Sequence, residues 1–236
     1  MNTVPSLPAI STELLQTLRS LDASTLANAI ETFHLRLRNE GFTGDSIHCR
    51  FPELPHLLGY AVTVKIRGSA PPTTAAPFPD RSDWLDYLLT VPAPRVVVIQ
   101  DVATRIGFGS LLGAVHMNIL RALGCVGAIT NGSARDLPAG RALGFQLFTG
   151  SISVSHAYVH VIEFGAPVLI DGLAVNSGDL LHGDQHGVQN IPLAIAPEIP
   201  AAARRLQTLE HELIALCQSP GFSLAKLRLA LASEPR

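Results

Sequence analysis

A chain of 236 residues, 47% hydrophobic and only 15% charged, is long enough to bury a full core. Its formal charge of −2 provides no basic footprint for nucleic acid, and no apolar run approaches membrane-spanning length. Cys49, Cys125 and Cys217 are far apart and lack a CxxC spacing, which points to reduced thiols in a cytoplasmic protein rather than disulfides or a zinc site. Around Pro5 and Pro8 there is no basic-then-apolar leader, and the expectation is one domain over 1–236. Its core would span about 22–198, with a helical C-terminal extension over 200–236.

In chain order, residues 11–20 predict a helix with Ser11 as N-cap and Leu14, Leu15 and Leu18 on one face. A second helix begins at Asp22 or Ser24 and carries Leu26, Ala27, Ile30 and Phe33. Arg36, Arg38, Asn39 and Glu40 form a polar loop, read as a solvated face or as a source of a second carboxylate binder. Residues 60–67 alternate as a strand, and 68–79 form a Pro/Thr/Ala-rich loop. Ser82 is placed to cap a short helix through Trp84 and Leu88, which Pro92 and Pro94 end.

The segment 96–138 is the densest in signals. Val96 to Ile99 form a β-branched run of the kind buried on both sheet faces. A glycine-punctuated loop follows, and from Leu111 the positions Leu111, Leu112, Val115, Ile119, Ala122 and Leu123 recur with helical spacing. Gly124 stops that helix, and 126–129 read as the next strand. This β-loop-α-β unit delivers Asn131, Gly132, Ser133, Ala134, Arg135 and Asp136 to the carboxyl edge of the sheet, where open α/β sheets bind ligands. A helix entered from a glycine turn favours anions. Arg135 offers a fork for a carboxylate, and Asp136 offers hard oxygens suited to Mg²⁺ or Mn²⁺. The same two residues also suit a structural ion pair beside a glycine cap.

Further on, 138–144 predict a short helix, and 146–149 with 151–155 predict strand material. His156, Tyr158 and His160 alternate without an acid between them, which fits a structural or substrate-lining role better than a metal trio; His156, at a strand end, stands out. A hairpin turns at Asp171-Gly172, and another turn covers 176–179. Asp184 and His186 are two apart and share a face if extended, so they read as an oriented base, as an outer shell to a metal or as a tight turn. Residues from Pro200 predict an amphipathic helix and those from near Ser223 a final helix, both packing on a neighbouring protomer.

GSLLGAVHMNILRALGCVGAITNGSARDLP resembles the core motif of the family named after regulator of ribonuclease activity A, which includes the 4-hydroxy-4-methyl-2-oxoglutarate aldolases. The similarity runs from about Asp22, in LDASTLANAIETF, through GDLLHGDQHG at 178–187. It implies an α/β fold: a swivelling-type β/β/α sandwich with a central mixed sheet flanked by helices. It also implies a homotrimer or hexamer with an intersubunit site. By this likeness Arg135 holds the carboxylate of a small substrate and Asp136 sits on Mg²⁺ or Mn²⁺. Gly107, Phe108, Gly109, Ser110, Leu111 and Leu112 supply amides to its keto-acid end.

Two departures from the family pattern bear on chemistry. Aldolase members carry an acid whose place falls near Ala114, whereas no acid occurs between Val102 and Ala134. His186 stands where many members have an acid. The implied function is a metal-dependent lyase, of aldolase or oxaloacetate decarboxylase type, acting through a pyruvate enolate. His186, oriented by Asp184, is the expected proton-handling group, with a rate rising through its ionisation. The alternative is a non-catalytic binding or regulatory protein of the ribonuclease-inhibitor type.

Overall fold

Alternation along the central strands fixes the architecture. In β2 (Leu57–Arg67), Leu58, Tyr60, Val62, Val64 and Ile66 belong to one buried cluster, while Leu57 and Ala61 belong to another. In β3 (Arg95–Asp101), Val97 and Ile99 take the first side, and Val96 and Val98 the second. Both faces are therefore covered, which is why these strands read as unbroken apolar runs.

The computed structural model describes residues 10–72 and 83–232. Two helices, α1 (Thr12–Ser20) and α2 (Ala23–Glu31), come first, followed by the short β1 (His48–Cys49) and β2. Next are α3 (Asp83–Leu89), β3, α4 (Ala114–Ala122), β4 (Cys125–Ala134), α5 (Leu137–Ala142) and β5 (Gln146–Ile152). Then come β6 (His160–Phe164), the hairpin β7 (Val168–Ile170) and β8 (Leu173–Val175), β9 (Leu180–Asp184) and β10 (Gly187–Ile191). Two helices, α6 (Ile199–Gln218) and α7 (Leu224–Ala232), close the described chain.

The sheet runs β1-β5-β4-β3-β2-β9-β10, with β6 paired to the second half of β2. Strands β2 to β5 are parallel neighbours, whereas β1, β6, β9 and β10 run antiparallel to theirs. The result is the mixed sheet flanked by helices that the resemblance implies. Helices cover one face, with Leu26, Ile30, Trp84 and Leu120 against it. The β7–β8 hairpin covers the other, where Ile170 and Val175 meet Val98, Ile129 and Phe148. Phe148 is fully buried there, so Phe148→Ala is expected to cost about 3–5 kcal/mol in denaturant unfolding. A loss below about 1 kcal/mol would show that this second core is not close-packed.

Several local expectations hold. Ser11 Oγ accepts from Leu14 N at 3.1 Å, and Asp22 Oδ1 accepts from Thr25 N at 2.8 Å, capping α1 and α2. The β7–β8 turn uses positive φ at Asp171 (46°) and Gly172 (88°), the mirror-image turn a tight hairpin needs. The proposed Ser82 cap and most of loop 68–79 lie outside the described residues, as do Pro5 and Pro8.

One expectation changes. Helix α4 starts at Ala114 rather than Leu111, because Leu112 stays extended in a parallel bridge to Ala134, with Arg135 N donating to Leu112 O at 2.9 Å. The helix buries Met117 and Leu120, whereas Val115 is 76% and Ile119 39% exposed. The apolar stripe read from the sequence thus joined strand-like residues to a helix face turned outward. The first turns of α6 pack on α2 of the same chain, with Ile199, Ala202 and Ala203 buried, whereas the described residues of α6 beyond Ala203 and those of α7 include no buried one, and these are the faces expected to meet a neighbouring protomer. No helix among the described residues is long and apolar enough to cross a membrane.

Candidate active site

At the carboxyl edge of β4 the chain turns sharply. Asp136 adopts the left-handed conformation (φ 56°, ψ 40°), which Asp tolerates better than most side chains. This turn aims its carboxylate at the start of α4, where Oδ2 accepts from Ala114 N at 2.8 Å. Gly113 stands at the N-cap of α4 but has no side chain to cap with, so the distant Asp136 does the capping. A Cβ on Gly113 would lie 2.9 Å from Arg135 Nε and 3.1 Å from Asp136 Oδ2. That glycine keeps open the space in which both side chains meet the helix end.

Arg135 Nε is buried and has no hydrogen-bond partner among the described residues, a cost that a bound anion would relieve. Arg135 lines a cleft of about 600 Å³ together with Ser110, Leu111, Gly113, His116 and His156. Trp84 and His116, stacked with ring centroids 5.5 Å apart, form one wall.

The glycine loop divides. Ser110 and Leu111 share the cleft with Arg135, and Leu112 is fully buried behind them. Gly107 and Phe108 line a different depression, where the Arg105 guanidinium sits 4.2 Å from the Phe108 ring centroid. Gly109 packs beneath the His156-Ala157 turn, where an added Cβ would fall 2.5 Å from His156 O. Two of the expected amides are already engaged: Gly107 N donates to Asp101 Oδ2 at 2.8 Å, and Ser110 N to Ser155 O at 3.1 Å. Asp101, buried at the end of β3, also accepts from Ala103 N at 2.9 Å and so ties the loop down. Neither Asp101 nor Gly113 was singled out from the sequence. An acid ending a buried strand and a glycine entering a helix were the available signals.

No group of three or more His, Cys, Asp or Glu side chains gathers to hold a metal among the described residues. Asp136 is exposed, and its second oxygen has no partner among them. Mg²⁺ keeps several waters and needs only one or two carboxylates, so this donor set fits a hydrated Mg²⁺ or Mn²⁺ and not a closed zinc cage.

A family model described as RraA-like (Aldolase/RraA) matches residues 23–189. The chain belongs to the RraA-like family. It is 26% identical over 99 residues to a Halalkalibacterium halodurans protein provisionally named a 4-hydroxy-4-methyl-2-oxoglutarate aldolase, a match covering 42% of this chain and 47% of that protein. The chain thus spans about half the length of the curated relative it matches. Among solved structures, an uncharacterized protein of Pseudomonas syringae pv. tomato is 22% identical with a TM-score of 0.71, covering 95% of this chain and 98% of that one. Streptomyces coelicolor RraAS2, described as an unusual member of the RNase ES inhibitor RraA protein family, is 20% identical with a TM-score of 0.67. That match covers 86% of this chain and 96% of that one. Both likenesses are likenesses of fold.

In this RraA-like chain Asp184 and His186 lie at the opposite edge of the sheet from Arg135. Gly183 pairs with Leu57 at the start of β2, whereas Arg135 follows the end of β4. The ten residues of β4 alone put about 30 Å between the two edges. His186 could therefore meet Asp136 only from another copy. Asp184 is buried within a two-residue turn: Oδ1 accepts from His186 N at 2.8 Å and faces His186 Nδ1 at 3.1 Å. Its Oδ2 accepts from Ala23 N at 2.7 Å, at the start of α2. Burial raises its pKa, but these hydrogen bonds and the neighbouring imidazole together bring it below the usual carboxylate range.

Next to it, His182 is fully buried, and its Nε2 donates to Leu21 O at 3.0 Å. Burial, and then His56 nearby, depress its pKa from 6.5 to about 4. The fold holds this imidazole neutral, while the unfolded chain takes up a proton below pH 6.5. Its contribution is thus complete above the unfolded pKa and lost as the pH falls from 6.5 to about 4, about 3 kcal/mol in all. Unfolding free energies across that window should fall more steeply for the wild type than for His182→Gln. Parallel curves would contradict this.

Proposed function

We propose that the protein is a lyase that cleaves a C–C bond of a small oxo or hydroxy acid by way of a pyruvate enolate, as an aldolase or an oxaloacetate decarboxylase does. The observation that carries this reading is the orphaned Arg135 Nε in a cleft with no carboxylate among its described walls, beside Asp136 at a helix N-terminus. Arg135 binds and orients the substrate carboxylate, since a planar fork matches it in bidentate fashion. Asp136 would hold Mg²⁺ or Mn²⁺, and the ion, when bound, supplies positive charge where negative charge develops on the reacting acid. The Ala114 N–H keeps that carboxylate turned toward the helix, and the Trp84–His116 wall excludes water from one side.

The name of the Halalkalibacterium halodurans relative supports the aldolase side of this reading. The test is pyruvate release from oxaloacetate and from a panel of 4-hydroxy-2-oxo acids, with Mg²⁺ and after chelation. Release that needs the metal is the expected result. No release from any acid, together with no binding of pyruvate, would leave the non-catalytic reading suggested by the ribonuclease-inhibitor description of RraAS2.

A further inference from the structure

A lyase of this kind must move a proton, and the described walls of the Arg135 cleft contain no carboxylate to do so. Among the described residues, the titratable groups that line it are Arg135 after β4, His116 on α4, and Tyr158, His160 and His156 on one segment. From α3 come only Trp84 and Leu85, and from the glycine loop only Ser110, Leu111 and Gly113. We infer that His156 is the acid–base residue of this site, exchanging a proton with bound substrate through Nε2. The inference rests on the lyase reading above and assigns it a residue in place of the missing loop acid.

The geometry around His156 is built. Its Nδ1 lies 2.7 Å from Ala157 O. A carbonyl only accepts, so Nδ1 carries the hydrogen and Nε2 of the neutral ring carries the lone pair. The ring therefore presents its basic nitrogen from a defined tautomer.

The segment bearing it is pinned to the glycine loop by Ser110 N on Ser155 O at 3.1 Å and by Ser153 Oγ on Phe108 O at 3.3 Å. Ala157 N donates to Ser155 Oγ at 2.9 Å, and Tyr158 N to Gly68 O at 3.2 Å. Ala157 is held at φ 45°, a left-handed conformation that disfavours Ala, and such strain gathers where a turn positions a functional group. Gly109 is required beneath it, since a Cβ there would lie 2.5 Å from His156 O and 2.8 Å from Ala157 Cβ. The glycine loop and the His156 turn thus form one unit, and Arg135 lines the cleft it faces.

In cleavage, Nε2 takes the proton of the substrate 4-hydroxyl. The O–H electron pair becomes the second bond of the new carbonyl as the C3–C4 bond breaks, and that bond's electrons pass to the enolate of the three-carbon acid. The imidazolium then returns its proton to C3, giving pyruvate and restoring the neutral ring.

The reverse of that last step is measurable without the full substrate. In D₂O with Mg²⁺, NMR would follow exchange of the pyruvate methyl protons, and calorimetry would follow pyruvate binding. The wild type is expected to bind pyruvate and exchange its protons. His156→Gln should lower exchange about 10²-fold with affinity changed less than about 3-fold, and added imidazole should restore part of the rate to His156→Ala. Intact binding with unchanged exchange in His156→Gln overturns the assignment and leaves the lyase reading standing. Loss of exchange in His160→Gln but not in His156→Gln also overturns it, in favour of the neighbouring imidazole. A wild-type protein that binds no pyruvate overturns the lyase reading and the role of His156 with it.

Discussion

Asp136→Asn is expected to lower kcat/KM by about 10³-fold or more while leaving α4 and the fold intact. Asn tolerates the left-handed backbone at φ 56° and retains an oxygen that can accept from Ala114 N. What it removes is the negative charge that would hold the divalent ion. Thermal unfolding should therefore move little while turnover collapses and Mg²⁺ affinity falls. A variant with wild-type Mg²⁺ affinity by calorimetry would remove Asp136 from the site.

Arg135→Lys is the second large expected effect. An ammonium keeps the charge but cannot offer two parallel N–H groups to one carboxylate, so KM should rise by about 10-fold or more. Because Nε of Arg135 is buried without a partner among the described residues, a substrate carboxylate accepting from it would sharpen the difference between Arg and Lys. Steady-state kinetics on the most active acid of the panel decide the matter. An unchanged KM would make Arg135 a structural residue of the β4–α5 turn.

The parts of the fold legible in the sequence were those set by local physics. Ser11 and Asp22 cap because their side chains satisfy first-turn amides, and Asp171-Gly172 turns because both residues accept positive φ. The β-branched run at Val96 to Ile99 was legible as a strand buried on both faces for the same reason.

The start of α4 was not legible, because a tertiary bridge from Leu112 to Ala134 overrides the helical spacing of Leu111 and Leu112. The position of Arg135 and Asp136 just past the end of β4 was legible from the strand that precedes them. The space that Gly113 keeps for them and the anchoring by Asp101 depend on contacts between segments distant in sequence. Asp184 was legible as the neighbour of His186, whose Nδ1 its Oδ1 faces at 3.1 Å, whereas its bond from Ala23 N at the start of α2 again joins segments distant in sequence.

In the proposed lyase, Arg135 and Asp136 together form a metal-assisted site for a small carboxylate. Calorimetric titration of oxalate, a stable mimic of the pyruvate enolate, tests it most directly when run with and without Mg²⁺ on the wild type, Arg135→Lys and Asp136→Asn. One site per chain is expected, which requires Mg²⁺, is weakened about 10-fold or more in Arg135→Lys and is lost in Asp136→Asn. Oxalate binding that is equal in all three proteins and indifferent to Mg²⁺ would contradict it.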